Sequence, residues 1–178
     1  MSVCVISFGS RKNGNCHRIS DFVCSMFSDA KSYDFSNFKI NACGDCSYQC
    51  FANGNDCPYI YDKEKEILDA VTNSELTFFI LPNYCDYPCS NYFVFNERSL
   101  CYFQNKESLL NAYLNVPKKF IVVSNSNQDN FKTAFAYQTN GEPKILFLPS
   151  GKYGKKSVDG DLLSSKEAVE DLKSFLLD

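Results

Sequence analysis

The 178-residue chain carries a single histidine, His17, and no hydrophobic run of membrane length. Apolar runs such as Phe78-Phe79-Ile80-Leu81 and Phe120-Ile121-Val122-Val123 are short against the roughly 20 residues of a membrane helix. No membrane partner is expected. A Ser/His/Asp triad would have to be built around one imidazole beside a polar loop, so none is read here. The nucleotide signatures G-x-x-x-x-G-K-S/T and G-x-G-x-x-G are both missing. Basic residues are in the minority, 18 against 21 acidic, for a net charge of −3, which argues against nucleic acid as a partner. The first residues, Met-Ser-Val-Cys-Val-Ile-Ser, lack the charged and long apolar regions of a secretory signal, so a cytoplasmic protein is expected.

What is present is the composition of one globular domain spanning 1–178, with 44% hydrophobic and 22% charged residues. Ser2 to Phe8 reads as a strand buried on both faces. Ile19, Phe22, Val23, Met26 and Phe27 then recur at helical spacing. A second strand is expected around Tyr33 to Ile40, followed by helical spacing from Ile60 to Val71 with Ile67, Leu68 and Val71 inward. Further strands are read at Leu76 to Leu81, Phe120 to Ser124 and Ile145 to Leu148. Helices are read at Ser90 to Phe103, Lys106 to Leu114 and Asn130 to Gln138. A last helix opens on Ser164-Ser165-Lys166-Glu167, read as a capping box, with Ala168, Val169, Leu172, Phe175 and Leu176 as its inward stripe. This alternation implies an α/β fold with a doubly wound parallel sheet. Ligands of such sheets sit beyond the carboxyl ends of the strands, here after Phe8, Leu81 and Ser124.

Two loops occupy those ends. Gly9-Ser10-Arg11-Lys12-Asn13-Gly14-Asn15-Cys16-His17-Arg18 joins a strand to a helix N-terminus, where unpaired amides and the helix dipole favour a phosphate. The competing reading is a solvated polar turn. A thiol there, Cys16, is expected to ionise readily. Pro82-Asn83-Tyr84-Cys85-Asp86-Tyr87-Pro88-Cys89-Ser90 is stiffened by prolines and offers tyrosine faces to a planar ring; its alternative is a surface loop. Of the ten cysteines, Cys4 and Cys24 read as buried hydrophobes. Cys43-x2-Cys46-x3-Cys50-x6-Cys57-Pro58 gathers four thiols in a loop at 43–58. Such a set suits a [4Fe–4S] cluster; zinc, or thiols without metal, are the alternatives. Lys152-Tyr153-Gly154-Lys155-Lys156 reads as a solvated basic turn, with contact to an NADPH phosphate as the minority reading.

Three segments resemble the flavodoxin-like NADPH-dependent FMN reductases, in particular their iron–sulfur flavoprotein branch. They are Phe8-Gly9-Ser10-Arg11-Lys12-Asn13-Gly14-Asn15-Cys16; Pro82-Asn83-Tyr84 with Cys89-Ser90 and Phe95-Asn96-Glu97-Arg98; and the Cys43–Cys57 segment. The resemblance implies a three-layer flavodoxin-like fold with a five-stranded parallel sheet in the order 2-1-3-4-5. It implies FMN with its phosphate on Ser10, Arg11, Asn13, Asn15 and Cys16. The ring would lie against Pro82, Asn83, Tyr84 and Cys85, with Ser124 and Asn125 closing the site. Electrons would pass from NAD(P)H or a protein donor to a quinone, a flavin or an iron–sulfur centre on Cys43, Cys46, Cys50 and Cys57. No side chain need act as a catalytic acid or base, and a homodimer or homotetramer is implied. The chain departs from the family pattern in lacking the first-loop proline, in Cys16 for a threonine, and in the bulky pair Asp86-Tyr87. Those departures favour the rival expectation, a non-enzymatic module that has lost FMN and uses the cysteine loop as a metal-held interaction surface.

Overall fold

A computed structural model describes residues 1–44, 46–53, 57–123 and 129–178. The element order is β1 (Val3–Ser7), α1 (Asn15–Met26), β2 (Ala30–Asp34), α2 (Gln49–Asn53), α3 (Glu64–Thr72), β3 (Leu76–Tyr84) and β4 (Tyr87–Pro88). It continues with α4 (Ser90–Phe103), α5 (Glu107–Asn115), β5 (Lys118–Val123), α6 (Asp129–Phe135), β6 (Lys144–Phe147) and α7 (Lys166–Leu177). The sheet runs β2-β1-β3-β5-β6, with the two-residue β4 folded antiparallel onto the end of β3. The five long strands are all parallel, in register from Val3↔Ala30 and Val3↔Leu76 to Thr77↔Lys118 and Lys119↔Lys144. With β4 set aside, this is the expected 2-1-3-4-5 order.

The alternation of side chains along each strand divides the core into two. Cys4, Ile6, Phe79, Phe120 and Val122 face one helical layer, meeting Leu68 of α3, Phe95 of α4, Tyr113 of α5 and Phe135 of α6. Val3, Val5, Phe78, Ile80 and Ile121 face the other, meeting Ile19 and Val23 of α1 and Leu172 and Leu176 of α7. Burial on both faces is why these strands read as unbroken apolar runs. Among the described residues no helix is long and apolar enough to cross a membrane.

The differences from expectation have local causes. The second strand spans Ala30–Asp34, not Tyr33 to Ile40, because the Asp34 carboxylate accepts from Ser36 N at 2.9 Å and turns the chain. Its leading residues Lys31 and Ser32 are exposed at the sheet edge, so no apolar pattern announces them. β3 runs three residues beyond Leu81, since its end pairs with β4. Ser165 does cap α7, accepting from Ala168 N at 3.4 Å, but alanine stands where a capping box needs Glu or Gln. Val169 and Phe175 are only half-buried. Cys4 is buried as expected, whereas Cys24 is partly exposed.

Polar groups inside this frame close its helix ends. Lys118 Nζ donates to the carbonyls of Tyr113 and Val116 at the end of α5, and burial pushes its pKa down to about 7. Lys119 Nζ donates to Phe175 and Leu176 at the end of α7. Arg98, buried on α4, forks onto Asp62 at 2.8 and 3.3 Å and onto the Asn41 carbonyl at 2.7 Å, tying the 41–62 segment to the domain. Glu64 is 3% exposed beside this pair, with neither carboxyl oxygen hydrogen-bonded.

Burial drives the Glu64 pKa up from 4.5 to about 9, against the pull of Arg98. The folded protein therefore keeps a proton that the unfolded chain releases. Its contribution to stability is complete below pH 4.5 and is lost progressively as pH rises toward 9. Glu64→Gln should remove that loss and raise stability at pH 8 by about 1–3 kcal/mol, with little gain at pH 4. Urea unfolding at a series of pH values measures it, and a gain independent of pH would contradict the assignment.

Candidate functional site

Strand β1 delivers the chain to the carboxyl edge of the sheet and hands it to Phe8. The Phe8 amide donates to Ile80 O at 2.9 Å, and its ring lies 5.0–5.6 Å from the rings of Phe35, Phe79, Tyr92 and Phe95. Its carbonyl accepts from Asn91 Nδ2 at 2.8 Å and from Cys89 Sγ at 3.4 Å, both at the start of α4. Gly9 follows because nothing larger fits: a Cβ there would stand 2.9 Å from the Cys16 Cβ. The loop turns at Asn13, whose φ of 61° is a conformation that asparagine tolerates. It enters α1 through an extended Gly14. Among the described residues no side chain caps this helix, and no acidic residue lies in its first turn. The first-turn amides and the positive end of the dipole are thus left for an outside acceptor.

A crevice of about 230 Å³ opens at this point. Ser10, Arg11, Asn15 and Cys16 border one side, and Pro82, Asn83 and Tyr84 border another; Val123, Ser157 and Val158 complete it. It therefore lies beyond the carboxyl ends of β1, β3 and β5, the location the strand pattern pointed to. Seven expected site residues converge here. Two do not. Asn13 turns its carbonyl to Arg18 Nε at 3.1 Å and against Gly160. Cys85 is exposed and outside the crevice lining, because Tyr84↔Tyr87 pairing makes Cys85 and Asp86 a two-residue hairpin turn with φ of 53° and 67°. Ser124 and Asn125 lie outside the described residues.

The side-chain roles also differ. Arg11 donates to Val158 O at 2.7 Å and Ser157 O at 3.3 Å, and Asn15 donates to Ser157 O at 3.0 Å while accepting from Leu162 N at 3.0 Å. Both residues are therefore clamps on the segment 157–162 as well as walls of the crevice. The Cys16 thiol is buried, and loss of hydration drives its pKa far above the ordinary thiol value. Burial overrides the helix dipole, so the expected reactive thiolate is instead a neutral thiol. Burial likewise pushes Cys89 up to about 11. His17 faces away from the loop, pairing through Nδ1 with Asp34 and through Nε2 with Asp21 at 3.5 Å.

Asn91, Ser157 and Val158 were not anticipated. Asn91 Nδ2 also reaches Ser10 Oγ at 3.0 Å, and its place next to the start of a helix after β3 was the one available signal. Nothing local marks Ser157 and Val158. The basic run is largely neutralised within the fold: Lys152 pairs with Asp171 at 2.7 Å and Lys155 with Asp161 at 3.0 Å. In the cysteine segment, Cys50 and Cys57 turn toward Cys101 of α4. Among the described residues no group of three or more His, Cys, Asp or Glu is arranged to hold a metal ion, so Cys43, Cys46, Cys50 and Cys57 are not assembled as a ligand set.

No family model matches the chain, and no curated protein does. Solved structures do match. The Trp repressor binding protein from Bacillus subtilis aligns with a TM-score of 0.65 and 14% identity, over 98% of this chain and 97% of that one. The fold is flavodoxin-like. The flavoenzyme NAD(P)H:(acceptor) oxidoreductase FerB from Paracoccus denitrificans aligns with a TM-score of 0.57 and 11% identity, over 98% and 94% of the two chains. An FMN-dependent NADH-azoreductase from Bacillus anthracis, solved in complex with FMN, gives 0.58 and 11%, over 99% and 100%. At these identities the likeness establishes the architecture alone.

The tight approach of Gly9 to Cys16 makes a simple test of how the loop is held. Gly9→Ala should cost about 1–3 kcal/mol through overpacking. Gly151→Ala, where a Cβ meets nothing within 4 Å, should change stability by less than about 0.5 kcal/mol. Urea midpoints of the two variants decide it.

Proposed function

We propose that this chain is a flavin-dependent oxidoreductase that holds FMN in the crevice after β1 and β3 and passes electrons from NAD(P)H to a small-molecule or protein acceptor. The observation that carries the reading is the uncapped α1 N-terminus, free of acidic residues, facing a crevice whose other side is Pro82-Asn83-Tyr84. The residues fit such a ligand. The amides after Gly14, with the Ser10 hydroxyl, would receive the phosphate, and the Arg11 guanidinium adds positive charge at the same end. The Pro82–Tyr84 wall offers a rigid backbone and an aromatic ring to a planar group. FMN, when bound, supplies the hydride and electron chemistry; the protein orients it and tunes its surroundings. The neutral thiols of Cys16 and Cys89 add no negative charge near a dianion. Structural neighbours that are flavoenzymes support the same class.

A second reading draws on one observation. Arg11 and Asn15 give side-chain hydrogen bonds to the backbone of Ser157 and Val158, which favours a flavodoxin-like module without flavin. Binding separates the two. FMN added to the protein should lose fluorescence with saturation at micromolar concentration. Riboflavin, which lacks the phosphate, should bind at least about tenfold more weakly if charge-assisted bonds at the helix terminus carry the affinity. Tyr84→Ala should weaken both flavins alike. A protein that quenches neither flavin and oxidises no NAD(P)H in their presence would decide for the second reading.

A further inference from the structure

The cysteine segment meets a thiol that its spacing did not include. Cys101 sits near the carboxyl end of α4, 44 residues beyond Cys57, and its thiol has those of Cys50 and Cys57 as electrostatic neighbours. Cys57 and Cys101 line one crevice of about 40 Å³ together with Arg98, Lys65 and Lys106. Both are partly exposed, whereas Cys50 is buried at 2% exposure. All three are free thiols in the structure. Two partly exposed thiols on one crevice, beside cationic side chains, form a place where a disulfide can be exchanged. We propose that Cys57 and Cys101 are a redox-active dithiol that reacts with anionic low-molecular-weight disulfides and closes into an intramolecular bridge.

The order of attack follows from the surroundings. The Arg98 guanidinium lines the crevice with Cys57, so an anionic disulfide drawn to it meets the Cys57 sulfur first. Cys101, on α4 at the same crevice, supplies the second sulfur. Cys57 sulfur attacks one sulfur of the external disulfide, breaking that bond and releasing one small thiol. Cys57 then carries a mixed disulfide. The Cys101 proton passes to solvent, and its sulfur attacks Cys57 sulfur, releasing the second small thiol. Two protein thiols are oxidised and one external disulfide is reduced to two thiols. The bridge would join α4 to the segment at 57, whose other tethers to that helix include the Arg98 bonds to Asn41 and Asp62, the Arg98 guanidinium over the Tyr59 ring, and the bond from Cys43 N to Glu97 Oε1 at 2.7 Å. This inference does not draw on the flavin reading.

The test is incubation of the full chain with oxidised glutathione, then peptide mapping without reduction, with exposed Cys85 reporting reagent access. The expected product is a Cys57–Cys101 linked peptide, with no glutathione retained on Cys57. Cys101→Ser should keep glutathione on Cys57, and the adduct should clear at least about tenfold more slowly than in the parent chain. A bridge from Cys101 to Cys50, or a fully reduced Cys57 when Cys85 is modified, overturns the proposal. The map of the unsubstituted chain decides even where the variant fails to fold.

Discussion

The candidate site depends on the main chain of Phe8. Its amide is held by Ile80 of β3, its carbonyl by Asn91 and Cys89 at the head of α4, and its ring by four aromatic neighbours. A backbone group bonded on both sides and anchored by a fully buried ring has little freedom left. The next residue therefore leaves the sheet in one direction only. Gly9 lets the loop fold against Cys16, and Gly14 releases it into α1 with the first amides toward the crevice. Packing energy spent deep in the core is thereby converted into the aim of a few N–H groups at the surface.

That aim matters because the crevice gets little of its polarity from free side-chain charge. Arg11 and Asn15 are turned onto the carbonyls of Ser157 and Val158, and Cys16 and Cys89 stay neutral because burial disfavours their anions. What remains for a ligand is oriented dipoles, the hydroxyl-bearing Ser10, Tyr84 and Ser157, and the residual field of a guanidinium. On the function proposed above, such a site would select for a compact anion joined to an apolar plane. The opposite end of α4 has another character, with Arg98 paired to Asp62, the protonated carboxyl of Glu64 and a cluster of thiols.

Much of the architecture was legible in the residue pattern because the central strands are buried on both faces, and Phe78 to Leu81 or Phe120 to Val123 can be nothing else. β2 was misplaced because an edge strand with exposed Lys31 and Ser32 carries no such mark. In the site, Gly9 to Cys16 and Pro82 to Tyr84 were found because turn chemistry and strand ends are local signals. The clamp from Arg11 to Val158 spans 147 residues, and the meeting of Cys57 with Cys101 depends on how α4 lies against α3; neither leaves a trace in nearby sequence. The hairpin at Cys85-Asp86 was missed for a different reason: two residues with positive φ, neither of them glycine, defeat the usual turn signature.

The hold of residues 157–162 on Arg11 and Asn15 has a bearing on how the protein folds. One border of the crevice is contributed by the loop after β1 and another by residues up to 147 positions further along the chain, with Gly160 seated against the Asn13 carbonyl. A border closed by so distant a contact forms only once the strands and helices between have packed, so the crevice is completed late in folding, and a ligand held there as proposed would enter a domain already built.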